Sequence, residues 1–265
     1  EEYLRTLKKW GVDVFYDKID TEVLKSKPKE IDYKIFYAFS KIYVLSKIDS
    51  IEPFTILDND LWLLGKLNFE NKSDVIMYHK ETFSESYQYN VYPDFSDFIP
   101  ENLKLRKFNK SILPTNTALL HIKNDLFIQE WYSLSKSIAI YSQNLESRYK
   151  NSSVRMCFVE QRLLPILLTE KGITYSTFID HIYQSHLSEV QDGSEWFPLF
   201  ENSSKEELDK FMQIKHVWGM KNLFHHEQIR NLVMSSCVKC LLDYPSYKGL
   251  RIIQELVNLY QPTPS

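Results

Sequence analysis

Residues 52–65 read EPFTILDNDLWLLG, and this stretch decides the fold. The apolar run from Phe54 to Leu57 leads straight into Asp58, Asn59 and Asp60, and a second apolar run follows at once. A short run of this kind, bounded by a polar cluster, predicts a buried strand. Strand alternation then points Asp58 and Asp60 the same way. A buried strand should not end in two charges unless something neutralises them, and hard carboxylate oxygens suit magnesium or manganese. Asp and Asn also build turns after strands, so holding a metal and capping a turn both stand as readings of this stretch.

Working outward, helix and strand alternate. Glu1 to Lys9 reads as a helix stopped by Trp10-Gly11, and Val12 to Tyr16 as a strand. Ile31 to Lys47 has helical spacing, with Ile35, Phe39, Ile42 and Leu45 on one face. Val75 to Tyr78 and Thr117 to Ile122 read as strands. Asp125 to Tyr149 reads as a long helix whose positions Phe127, Trp131, Leu134, Ile138, Tyr141 and Leu145 form its core face. Ser153 to Lys171 is a second helix that Pro165 should kink and Lys171-Gly172 should end. Ser204 with Glu207 is a capping box, and Ile214 to Trp218 a last strand. Asn222 to Leu259 is mostly helical, broken at Pro245. The alternation predicts an α/β layer architecture rather than a bundle, divided into a domain over 1–221 and a helical extension over 222–265. From Lys80 to Leu113 the period dissolves, with Tyr87, Tyr89, Tyr92, Phe95 and Phe98 among polar residues. Such a segment either lines a site, its rings offering faces to sugars, or packs as a surface cluster.

The composition narrows the class. At 265 residues with 43% hydrophobic and 14% aromatic content, the chain has ample material for a packed core. A net charge of -3 supplies no global basic field for nucleic acid. No apolar run approaches the ~20 residues of a membrane helix, which leaves peripheral membrane contact as the only compatible kind. No signal peptide opens the sequence, and three cysteines make no disulfide framework, so a reduced, cytoplasmic protein is expected. Cys237 and Cys240 have C-x-x-C spacing without a second half-site, which reads as two small helix residues rather than zinc ligands. Abundant Lys, Asn, Ile and Tyr with only six Gly fits an AT-rich bacterial genome, with surface-polysaccharide assembly as the context.

Three further segments carry chemistry. Phe39-Ser40-Lys41 lies on the helix before the Asp58 strand. Leu113 to Ala118, with Asn116 at its centre, is a turn of small polar residues entering a strand, and Glu160-Gln161 follow on a helix. His216-Val217-Trp218-Gly219-Met220-Lys221 sits at a strand end, where Gly219 allows close backbone approach. This order of Lys, D-x-D, Asn turn, acid-Gln pair and H-x-x-G with a nearby Lys resembles the GT-A fold glycosyltransferases. The nearest group is the retaining one that includes glycogenin and bacterial galactosyltransferases, and more loosely the uncharacterised capsule-type transferases.

The resemblance, which spans roughly Gly11 to Lys221, implies a Rossmann-like mixed sheet flanked by helices and transfer of a sugar from a nucleotide-sugar donor to a glycan or other acceptor. It implies manganese or magnesium held by Asp58, Asp60 and His216. It places Lys41, Asn59, Asn116, Gly219 and Lys221 on the donor, and Glu160 and Gln161 where the sugar reacts. Two features depart from the family pattern. The family Lys stands six residues after the His and is followed by Pro-Trp, whereas Lys221 stands five residues after His216 and Asn222-Leu223 follow. The family also opens with a strand that grips the nucleobase, and here the reading begins at the helix, so that first strand is expected to be absent.

Physical chemistry supports the same roles. Breaking a sugar–phosphate bond leaves extra negative charge on the diphosphate as the glycosyl centre becomes cationic, and a metal with ammonium groups stabilises that leaving group. Each residue also has a plainer reading. His216 fits a core or surface histidine, Lys41 and Lys221 fit solvated helix charges, Glu160 fits an exposed acid and Asn116 a turn residue. His225 and His226 are neighbours on a helix and diverge by about 100°, which argues against a metal pair. Two other functions share these residues: a non-catalytic GT-A-like module binding a glycan or protein, and a metal-dependent phosphoryl-transfer or hydrolytic enzyme. The latter would ordinarily bring more acidic ligands.

Overall fold

The computed structural model describes residues 18–50, 52–59, 61–63, 67–69, 73–81, 99–104, 108–109, 111–145, 153–180, 182–183 and 214–216, with Arg5, Lys8, Glu227, Asn231, Ser235, Val238, Leu242, Gln254, Glu255, Val257 and Asn258; for Trp62, Ser153, 182–183 and 214–216 it describes the backbone alone. Two compact units divide the chain, Val23–Trp218 and the pairing of Glu1–Glu22 with Gly219–Ser265. In the second unit Arg5, Lys8 and the nine described residues from Glu227 to Asn258 are all helical, and Val238 is fully buried.

Alternating apolar strands and amphipathic helices give the first unit its layers. Four strands, β1 (Phe54–Leu57), β3 (Val75–Met77), β5 (Leu119–Ile122) and β6 (Tyr175–Thr177), form one sheet in the order β1-β5-β3-β6. β5 runs antiparallel to both its neighbours, Leu57 opposing Leu119 and Met77 opposing Leu120, while β3 and β6 are parallel. Two small sheets accompany it: β2 (Leu61–Leu63) pairs with β8 (Ile214–His216), and β4 (Lys80–Glu81) with β7 (Ile182–Tyr183). Every residue of β5 is buried because both faces are covered. Leu120 and Ile122 join Val75 and Met77 on one face, beneath helices α1 (Phe39–Leu45), α2 (Ile128–Ser142) and α4 (Leu163–Glu170). Leu119 and Ile76 face the other way, onto Leu61, Tyr78, Phe178 and Ile179. This is the mixed α/β architecture that the alternation predicts.

Four expectations need correction. The helix over 31–47 is confined to Phe39–Leu45. Asp32 spends its side chain on the Lys34 N–H and its carbonyl on Ile35 and Phe36, a turn that delays the helix. α2 begins at Ile128 rather than Asp125, because Asn124 Oδ1 accepts the Leu126 N–H in a preceding turn. Its buried row steps from Trp131 through Leu134 and Ile138 to Ser142, so Tyr141 faces outward at 37% exposure. Finally, β1 is half-buried rather than buried, since among the described strands it is outermost and pairs with β5 alone. The expected strand over 12–16, the capping box at Ser204 and the aromatic run from Tyr87 to Phe98 lie outside the described residues, as do Cys237 and Cys240.

Gly172 ends α4 as the Lys171-Gly172 pair predicts. At φ +65° it lets its own N–H reach the Thr169 carbonyl and the Ile173 N–H reach Leu168, closing a Schellman cap. The chain then enters β6 through Thr174, which is clipped to Asp74 at the start of β3. The Asp74 carboxylate accepts the Thr174 N–H at 2.9 Å and its hydroxyl at 2.6 Å. These two bonds, the hydroxyl foremost, hold the Asp74 carboxyl below its ordinary value. Asp74→Ala is expected to cost about 1 kcal/mol at neutral pH, after discount for solvent. A depressed carboxylate stabilises above its unfolded pKa and loses that contribution as pH falls through the folded value. The gap between wild type and variant in urea midpoint should therefore close below about pH 4.

Candidate functional site

The parallel strands β1, β3 and β6 end on the same side of the sheet, where the antiparallel β5 begins. Open α/β sheets bind their ligands outside the carboxyl ends of their strands. Asp58 directly follows β1, Tyr78 to Glu81 follow β3, and Thr115 to Ala118 enter β5. The main chain locks these segments together. The Asp58 N–H donates to the Ala118 carbonyl at 2.8 Å, Asn116 N–H to His79 at 2.8 Å, and Tyr78 N–H to Asn116 at 3.0 Å.

Lys41 reaches into this edge from α1. Its ammonium donates to Asp58 Oδ1 at 2.9 Å and to the Thr117 carbonyl and hydroxyl, both at 3.2 Å. It also forms an ion pair with Glu160 Oε1. The Thr117 hydroxyl donates in turn to Glu160 Oε1 at 2.8 Å. Burial alone would lower the Lys41 pKa, but Glu160 and Asp58 outweigh it and hold the ammonium above the ordinary lysine value. The Lys41 and Glu160 side chains are only 12% and 8% exposed, whereas Asp58 keeps 34%, so the cluster opens toward solvent through Asp58.

Glu160 is delivered by an irregular helix. Between α3 (Ser153–Cys157) and α4 the turn over Phe158–Arg162 is a π-helix, with the Leu163 N–H reaching back to Phe158. Such wide turns are rare and concentrate at functional sites. Pro165, which has no N–H, leaves the Gln161 carbonyl four residues earlier without its helical donor. The Thr115 N–H takes that carbonyl at 3.0 Å, and Trp131 Nε1 takes the Val159 carbonyl at 2.9 Å. The expected irregularity in this helix is therefore present, displaced toward Glu160, and it ties the helix to the Thr115–Ala118 turn.

Asn116 is buried; its Oδ1 accepts the Ala118 N–H at 2.9 Å and its Nδ2 donates to Glu81 Oε1 at 3.3 Å. Glu81, only 1% exposed, was not anticipated from the sequence. Its signal was the same as that of Asp58, since Val75 to Tyr78 is an apolar run ending in charge. Burial, with Glu160 and Glu81 nearby, pushes the Cys157 thiol well above its ordinary pKa, which disfavours the reactive thiolate. Gln161 contributes its backbone carbonyl to Thr115, and its buried side-chain Oε1 has no hydrogen-bond partner among the described residues. Asn59 is exposed in the turn after β1.

His216 lies on β8 with its backbone directly opposite Leu61, the residue after Asp60. Asp60, Gly219 and Lys221, and the His216 side chain, lie outside the description. Among the described residues no three His, Cys, Asp or Glu side chains gather around one point. The structure thus joins Lys41, Asp58, Asn116 and Glu160, adds Thr117 and Glu81, and brings the His216 strand beside the residues that follow the acid pair. Among the described residues no helix is long and apolar enough to cross a membrane. No family model matches the chain, and no curated protein or solved structure matches it either.

Proposed function

We propose that the chain is a metal-assisted glycosyltransferase of GT-A-like fold, its catalytic part spanning residues 1–221, that transfers a sugar from a nucleotide-sugar donor to a glycan or other acceptor. The observation that carries this reading is the buried Lys41–Asp58–Thr117–Glu160 cluster at the carboxyl edge of the sheet. Four segments distant in sequence converge there, and each contains a residue that the resemblance to glycosyltransferases singles out.

The chemistry follows from the charges. The donor diphosphate lies over the open side of Asp58, and the sugar lies toward Glu160 and Gln161. Asp58, Asp60 and His216 are the residues that would hold manganese or magnesium. What supports such an ion is the hard oxygen of Asp58 and the β2–β8 register, which brings the backbone of His216 opposite the residue after Asp60. When bound, the ion supplies positive charge to the departing diphosphate. Glu160, held in place by Lys41 and Thr117, is the group that stabilises the positive charge developing at the glycosyl carbon. Asn116 and Glu81 set the floor beneath the sugar, Asn116 held by the Ala118 N–H and Glu81 by the Asn116 side-chain amide.

Thermal melting with a panel of nucleoside diphosphates and nucleotide sugars, with and without manganese, tests the reading. A ligand that binds only the folded chain raises its melting temperature by mass action. A manganese-dependent rise is expected in wild type, and its loss is expected in Asp58→Ala/Asp60→Ala. If no nucleotide moves the wild-type melt, the transferase reading fails and the non-catalytic binding module is favoured.

A further inference from the structure

We propose that Asp58, Glu160 and Thr117 form a cation site whose resident cation is the Lys41 ammonium, and that a divalent metal therefore enters the neighbouring donor site only together with a diphosphate. Four oxygens surround Lys41 Nζ: Asp58 Oδ1 at 2.9 Å, the Thr117 carbonyl and hydroxyl at 3.2 Å each, and Glu160 Oε1 in direct contact. Two carboxylates, a carbonyl and a hydroxyl are the mixture of hard donors that calcium and magnesium sites use. An ammonium has three protons to give, and four acceptors already claim them. Turning Lys41 toward a phosphate would leave the Asp58 and Glu160 carboxylates without their shared counter-charge, and like charges at close range repel. Lys41 is thus a positioning residue. It fixes Asp58 and Glu160 relative to each other and does not serve as a mobile phosphate contact.

The charge balance sets the order of binding. Lys41 offsets part of the negative charge of Asp58 and Glu160, which weakens the pull of this cluster on a metal. A diphosphate brings the additional charge and oxygen ligands that make a divalent ion bind well. The order of binding rests on the donor-site reading; the cation assignment rests on the contacts around Nζ alone.

Calcium, which accepts roughly six to eight oxygen ligands in flexible geometry, is the probe. Lys41→Ala removes the ammonium and leaves room for an ion with its waters, whereas Lys41→Met fills the space without charge. Both variants should melt below wild type in chelator. Calcium should raise the melting temperature of Lys41→Ala, with an apparent Kd about tenfold tighter or better than for wild type, and should leave Lys41→Met unmoved. Lys41→Ala/Glu160→Gln should lose the calcium response. Equal calcium responses in wild type and Lys41→Ala would overturn the assignment, and so would a Lys41→Ala chain that stays unfolded at saturating calcium. In wild type, manganese alone should leave the melt unchanged, and manganese with a nucleoside diphosphate should raise it. A rise with manganese alone overturns the binding order. If no nucleoside diphosphate acts, the donor-site reading fails and the binding order with it, while the calcium series still decides the cation assignment.

Discussion

Trp131→Ala should destabilise the Val23–Trp218 unit by about 3–5 kcal/mol, the largest single loss expected from its core. Trp131 is fully buried on α2, with the Phe127 ring 6.2 Å away. Its indole N–H donates to the Val159 carbonyl at 2.9 Å, and the Ser135 hydroxyl reaches the same oxygen at 3.4 Å. Truncation removes the largest fully buried side chain among the described residues and withdraws the stronger donor from a buried carbonyl in the π-turn. Against the 5–15 kcal/mol of a typical domain, the loss should lower the melting temperature by about 10 °C. Trp131→Phe separates the two contributions. It keeps most of the volume while deleting the N–H and a few ring atoms, so about 2–3 kcal/mol should be lost. Because Val159 precedes Glu160, nucleotide-sugar turnover should fall in Trp131→Phe even where the chain remains folded. A loss below about 1 kcal/mol in Trp131→Ala, read from urea unfolding, would show that this contact does not organise the core.

The residues of the site were more legible in the sequence than their partners. An apolar run broken by acids is a local signal, and it marks Asp58 correctly at the end of a strand. The small polar turn around Asn116 is local too. Lys41, by contrast, sits in Phe39-Ser40-Lys41-Ile42, a pattern that a solvated helix charge would also give. Its burial appears only when the helix carrying Glu160 closes over the sheet. The expectation that Lys41 sits near the donor sugar and diphosphate rested on family resemblance, and the structure shows its ammonium engaged by Asp58, Glu160 and Thr117. Pro165 announced an irregular helix, because a missing N–H is a covalent fact. Where the irregularity settles depends on Thr115 and Trp131 competing for carbonyls, which are contacts made across the fold. The shortened first helix follows from a choice that periodicity does not register, since Asp32 satisfies its own turn before the helix can begin. Glu81 is a single acid beyond an apolar run, and without a second acid beside it the same kind of setting gives no D-x-D signal.

Glu160→Gln should reduce sugar transfer by at least about 10²-fold while leaving manganese-dependent nucleotide binding in place. Glutamine keeps the shape, and its Oε1 can still accept from the Thr117 hydroxyl, so the packing around the π-turn survives. What it loses is the charge. In wild type the Lys41 ammonium binds two carboxylates at once. In the variant it keeps Asp58 and the Thr117 carbonyl, so the cost should be about 1–2 kcal/mol, below the 3–5 kcal/mol of a buried ion pair broken outright. The pH dependence identifies the origin of that cost. Burial pulls the Lys41 pKa down, and Glu160 is the foremost of the charges that hold it up. A lysine raised in the folded state stabilises fully below its unfolded pKa of about 10.4 and loses that contribution as pH climbs through the folded value. The difference in unfolding midpoint between wild type and Glu160→Gln should therefore stay constant from neutral pH to about pH 10 and close above it. Transfer activity and the alkaline stability profile together separate two roles. A variant with the predicted stability profile but undiminished transfer would make Glu160 a partner of Lys41 and nothing more. A variant that also loses transfer while its nucleotide-induced melting shift persists places the lost carboxylate at the reacting sugar, on the transition state rather than on the bound donor.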